Sequence, residues 1–96
     1  MKNLPKSLRI GGHRISVVVC DLPEDTYGEF DEKKNEIRIS SSLPYSQKEV
    51  TLLHELLGVL NPTLHESELG HMLMESIAQQ LYQVLKHNPL NFYDAS

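Results

Sequence analysis

The sequence predicts an α+β fold, a small antiparallel sheet of two hairpins followed by two core helices, and three observations predict it. Apolar and polar residues alternate in short runs up to about residue 40, as they do in half-buried strands. From about residue 46 the apolar residues recur at helical spacing instead. A serine-bearing loop over residues 41–45 separates the two regimes.

In the first hairpin, Leu8-Arg9-Ile10 and residues 14–20 flank Gly11-Gly12-His13, where paired glycines supply the positive φ of a tight turn and His13 reads as a turn residue. Cys20 follows Val17-Val18-Val19 and has no second cysteine to pair with, so it reads as a small buried hydrophobe in a reducing compartment. Residues 21–26 hold Pro23 and three acidic residues and read as an exposed connection. Tyr27-Gly28-Glu29-Phe30 and Glu36-Ile37-Arg38-Ile39-Ser40 then flank a polar stretch as a second hairpin, giving about three or four antiparallel strands.

Ser46-Gln47-Lys48-Glu49 has the form of a capping box and predicts the start of the first helix. Val50, Leu53, Leu57 and Leu60, supported by Leu52, Leu56 and Val59, make that helix apolar around most of its girth until Asn61-Pro62 ends it. Thr63-Leu64-His65-Glu66 reads as a second capping box, opening a helix that runs to Lys86 or His87 before Asn88-Pro89. Its expected core stripe is Leu73, Met74, Ile77, Ala78, Leu81, Val84 and Leu85, with Met72 also read as core filler. His87 reads as a favourable charge at the helix C-terminus. Residues 89–96 form a tail without periodicity, so residues 1–96 read as one domain with a strand-rich half, 1–45, and a two-helix half, 46–88.

The chain has 96 residues, of which 40% are apolar and 23% charged, an ordinary globular balance. Nine Lys and Arg against 13 Asp and Glu give a net charge of -4, which argues against a nucleic-acid partner, since duplex binding needs a basic stripe. No apolar run approaches bilayer length, so no membrane partner is expected and the cytoplasm of a bacterium or a phage-infected cell is the expected location.

The chemistry concentrates in His54-Glu55-Leu56-Leu57-Gly58. In the pattern H-E-x-x-H, positions four apart share a helical face, so two imidazoles reach one metal while the glutamate polarises water. Here glycine stands at the fifth place. Glu75 lies off the apolar stripe of the second helix, on the face of Glu68, Gln79 and Tyr82. His71, four residues before Glu75, shares a helical face with it, and His65 lies in the connection between the helices.

The whole arrangement from Leu8 to Asn88 resembles small phage proteins related to the ImmA/IrrE metallopeptidase family, through Ile10-Gly11-Gly12-His13, the Gly28-Glu29-Phe30-Asp31 hairpin, residues 47–55 and residues 75–85. The resemblance implies a minimal zincin-like fold, zinc as cofactor, His54 and Glu75 as metal ligands, Glu55 as catalytic base and acid, and a peptide or protein as partner. It gives Gly58 no role. One ligand of a zinc site is worth on the order of 3 kcal/mol, about a hundredfold in affinity, so low zinc occupancy and impaired or lost peptide hydrolysis are expected. Two alternatives stand beside this: a non-catalytic binding module acting as a regulator or anti-defence protein, and an active enzyme in which His71 or His65 substitutes for the missing ligand.

Overall fold

The computed structural model describes residues 4–88. Its elements are β1 (Ser7–Ile10), β2 (His13–Cys20), β3 (Gly28–Asp31), β4 (Glu36–Ser40), α1 (Tyr45–Leu60), a 3-10 turn (Pro62–Glu66) and α2 (Glu68–His87). The α+β class is as the sequence predicts. The tail assignment, residues 89–96, lies outside the described residues.

Both hairpins form. Gly11 and Gly12 take φ of 56° and 89°, the double positive φ of a tight hairpin turn, and set Ile10 opposite His13 and Leu8 opposite Ile15. His13 is therefore the first residue of β2 and not part of the turn. In the second hairpin the Asp31 carboxylate accepts from the backbone N–H of Lys33 at 3.0 Å and of Lys34 at 3.2 Å, folding the turn locally, and Asn35 takes φ 50°.

The sheet is mixed, not wholly antiparallel. Its order is β1-β2-β4-β3, with β2 and β4 parallel at the centre, Val17 opposite Ile37 and Val19 opposite Ile39. The physical reason lies in the inward residues. Ile15, Val17, Ile37 and Ile39 are the buried apolar side chains of the sheet, and placing their two strands side by side makes one continuous apolar patch. Leu52 of α1 closes it, with Leu8, Ile10, Phe30, Leu43 and Val59 at the margin. Each buried isoleucine stabilises the fold by roughly 1.5–3 kcal/mol. Val18 and Val19 are exposed and Cys20 is only half-buried, which corrects its reading as a buried hydrophobe: it ends the strand opposite Ser40, at the edge of the patch.

Neither capping box forms. Pro44, with φ −59° and ψ 156°, is the N-cap of α1, and its carbonyl accepts from Lys48 N–H at 2.9 Å, so Ser46 is already inside the helix. Proline pre-sets the entry dihedral and starts the helix early. The second box is displaced because Pro62–Glu66 winds as a 3-10 turn, in which the Thr63 hydroxyl donates to the Asn61 side-chain oxygen at 2.6 Å. Ser67 is the N-cap of α2, accepting from Gly70 N–H at 3.0 Å. Ser67→Ala is expected to lower stability by about 1 kcal/mol, read as a shift in urea midpoint at unchanged slope.

The expected stripe of α2 is only partly buried. Met74 and Ala78 are fully enclosed, whereas Leu73, Ile77, Leu81, Val84 and Leu85 are exposed, and Met72 is 66% exposed rather than core filler. The cause is architectural: α2 packs on α1 and the 3-10 turn and lies a layer away from the sheet, so one neighbour covers a narrow strip of its surface. At its far end Tyr82 OH donates to Glu49 of α1 at 2.8 Å, and Lys86 pairs with the same carboxylate at 3.5 Å.

Candidate metal centre and groove

Between β3 and α2, across the middle of α1, run two open grooves of about 530 and 580 Å³ that share Gly28, His54 and Glu55. The first adds Glu75 and Gln79 of α2, with Glu24 and Asp25 of the β2–β3 connection. The second adds Gly58, His65 and His71, with Glu29, Phe30 and Glu32. Thus His54 and Glu55 of the motif meet Glu75, His71 and His65 along one face of the molecule.

Helical geometry separates the roles of the motif residues. Glu55 points toward the sheet and is 7% exposed, while its neighbour His54 is half-buried on the side facing α2. Burial pushes the Glu55 carboxyl up to about 7, and the nearby carboxylate of Glu29 adds to this. A carboxyl in that range takes up and returns a proton near neutral pH. Burial likewise holds the His54 imidazole below its ordinary value; Glu75 opposes the shift, while His71 and His65 reinforce it. The shift favours the neutral form of His54, which is the form that binds metals.

Two glycines shape the grooves. A Cβ on Gly28 would lie 2.7 Å from the Thr51 methyl, 3.1 Å from the Arg38 carbonyl and 3.4 Å from Glu55 Cγ, so the missing side chain lets β3 approach α1 beside the carboxylate. Gly58 is buried, and a Cβ there would fall 2.6 Å from Cε1 and 3.0 Å from Cδ2 of His65, with Nε2 closer still. The space that a side chain at position 58 would enter is therefore filled by the imidazole of His65. The ring of His71 meets that of His65 edge-on, with centroids 5.5 Å apart.

The chemistry of this donor set fits zinc: imidazoles and one carboxylate are the ligands of open catalytic zinc sites. Its present spacing is looser than a cage, since among the described residues no three His, Cys, Asp or Glu side chains stand together as a group able to hold a metal. His65, His71 and Glu75 are exposed side chains, and ligation by them requires rotamer changes at the surface.

Glu29 was not singled out by the motif, yet it acts on Glu55. Its own partner is Arg38, at 3.4 Å, a guanidinium that also pairs with Asp31 at 3.4 Å and Glu36 at 2.6 Å. The readable signal was Gly28: a lone glycine in a strand marks a close approach, and its neighbour then lies beside whatever approaches.

No family model, curated protein or solved structure matches the chain. Among the described residues no helix is long and apolar enough to cross a membrane.

Proposed function

We propose that this protein is a zincin-like metallopeptidase whose substrate is an extended peptide lying between β3 and α2. The observation that carries the reading is Glu55, a buried carboxyl pushed up to about 7, adjacent to His54 in a groove that also receives Glu75 from the facing helix. His54 and Glu75 would hold zinc, whose Lewis acidity polarises a peptide carbonyl. Glu55 takes the proton of the attacking water and returns it to the leaving amine. β3 is an edge strand, so its unpaired backbone groups are available to an added peptide strand, and Gly28 keeps the path beside Glu55 open.

The grooves carry the carboxylates of Glu24, Asp25, Glu29, Glu32 and Glu75 and no lysine or arginine among their lining residues. Peptides with Lys or Arg beside the scissile bond are expected to bind more tightly than acidic ones, with the preference shrinking as salt screens it. Fluorogenic peptides of both kinds, assayed at two ionic strengths, read this directly.

A second reading, a non-catalytic peptide-binding regulator or anti-defence module, is favoured by the absence of a ready-formed group of three ligands among the described residues. Elemental analysis of protein purified without a metal-affinity tag, together with peptide hydrolysis before and after zinc addition, separates the two. Stoichiometric zinc and cleavage abolished by Glu55→Gln support the peptidase. Peptide binding with neither metal nor cleavage supports the module.

A further inference from the structure

We infer that this protein is a two-fold dimer in which the outer face of α2 packs against the same face of a second copy, with Ile77 at the symmetry axis. Leu69, Leu73, Ile77, Leu81 and Leu85 recur at every fourth residue, so they form one ridge along the helix, with Val84 beside it. All six are exposed, Ile77 by 41% and Leu69 by 65%. The helix has 20 residues and buries only Gly70, Met74 and Ala78, which leaves most of its apolar side without a neighbour.

Two observations favour a second copy over a partner of other chemistry. The first is charge. At 3.6 residues per turn, Glu68, Glu75 and Lys86 fall on the side of α2 opposite Ile77, and the residues flanking the ridge are the uncharged Ser76, Gln80 and Gln83. Copies of a chain with a net charge of -4 repel one another through their charged surfaces, and this face has no Asp, Glu, Lys or Arg to contribute. It equally lacks the charge that a basic or acidic partner would need for complementarity. The centres of stable interfaces are depleted of charge in the same way. The second observation is area. The six apolar side chains leave on the order of 500 Å² open, at the upper end of what a monomer exposes, and the three polar neighbours carry the face toward the roughly 800 Å² that each partner of a stable pair covers.

The ridge also matches itself. With two helices antiparallel about Ile77, Leu73 meets the partner's Leu81 and Leu69 faces the partner's Leu85, apolar on apolar at every step, as an isologous contact requires. Ridges of this spacing interdigitate at a crossing angle of about −50°. Glu75 and Gln79, which line the first groove, lie on the other side of α2, so pairing leaves that groove open and braces the helix that carries Glu75.

Sedimentation equilibrium of the full chain tests this, with dimers expected at about 100 µM. Ile77→Lys places two ammonium groups at the axis and should raise the dimer dissociation constant at least about a hundredfold, whereas Gln79→Lys on the opposite side should leave it within about twofold. In a Cys20→Ser background, Ile77→Cys should cross-link two copies under mild oxidation and Gln79→Cys should not, because only position 77 meets itself across the axis. That arm needs no charged variant to fold. Wild type that stays monomeric up to about 1 mM would overturn the proposal. In that case lower stability of Ile77→Lys would assign the face to residues 89–96 of the same chain, and unchanged stability would assign it to another protein. A dimer that survives Ile77→Lys, or that cross-links as readily through Gln79→Cys as through Ile77→Cys, would place the interface elsewhere and overturn the proposal as well.

Discussion

Glu55→Gln is expected to stabilise the metal-free protein at pH 8 by up to about 3 kcal/mol while leaving its stability at pH 4 nearly unchanged. The folded-state value of Glu55 is raised from 4.5 to about 7, so between these values the folded chain binds a proton that the unfolded chain has released. For a carboxyl shifted upward, the stability of the folded state is fully present below the unfolded value and falls as pH rises through the folded one. The loss therefore develops from about pH 4.5 and is complete just above pH 7. A neutral amide of nearly the same shape does not ionise, so the variant escapes that loss. Urea unfolding of both proteins in chelator, from pH 4 to pH 8.5, measures the difference. Equal effects at the two extremes would mean that the carboxyl is not held against ionisation. On the proposed metallopeptidase reading, the same substitution should reduce peptide hydrolysis in zinc by at least a hundredfold, since it removes the proton carrier. A residue whose replacement stabilises the fold while removing activity is held in place for chemistry.

The parts of the fold legible in the chain were those set by local physics. Gly11-Gly12 specifies its turn through two positive φ angles, and the alternation around Ile37 and Ile39 specifies a strand with one buried face. The parallel contact of β2 with β4 was not legible, because nothing in either strand's own pattern states which neighbour it will have. The helix starts failed for a related reason. Serine and threonine at 46 and 63 offered plausible caps, but Pro44 entered the helix first and the turn after Pro62 wound tighter than an α-helix. In α2 the apolar spacing correctly gave a helix and overstated its burial, because burial depends on how many elements lie against it.

At the candidate site, the pair His54-Glu55 and the distant Glu75 were readable from spacing and resemblance, and the fold brings them to one groove. The acidic neighbour Glu29 and the placement of the His65 ring were not, since both depend on close approaches at Gly28 and Gly58 that spacing does not encode. Gly58 looked like a missing ligand because a helical motif is read along one helix. In three dimensions its absence of a side chain is itself a feature, occupied by a ring from elsewhere.

Met74→Ala is expected to destabilise the protein by about 2–5 kcal/mol and to weaken the proposed metal site at the same time. Met74 is fully buried, and with Gly70 and Ala78 it makes up the buried face by which α2 holds to the rest of the molecule. The sheet lends α2 little direct support, so a cavity at Met74 loosens the whole helix before it reaches the strands. Glu75 and His71 ride on that helix, and the backbone of Leu64, the residue before His65, lies against Gly70 of the same element. Three side chains that line the grooves thus depend on one apolar contact. Hydrogen exchange should show α2 amides losing protection by far more than those of β2 and β4, and zinc affinity should fall in the same variant although no donor was changed. Uniform loss of protection through both layers would instead mean that the helix pair and the sheet unfold as one unit. Met74→Leu, which nearly conserves volume, should retain most of the stability and the affinity, separating loss of packing from loss of the thioether itself.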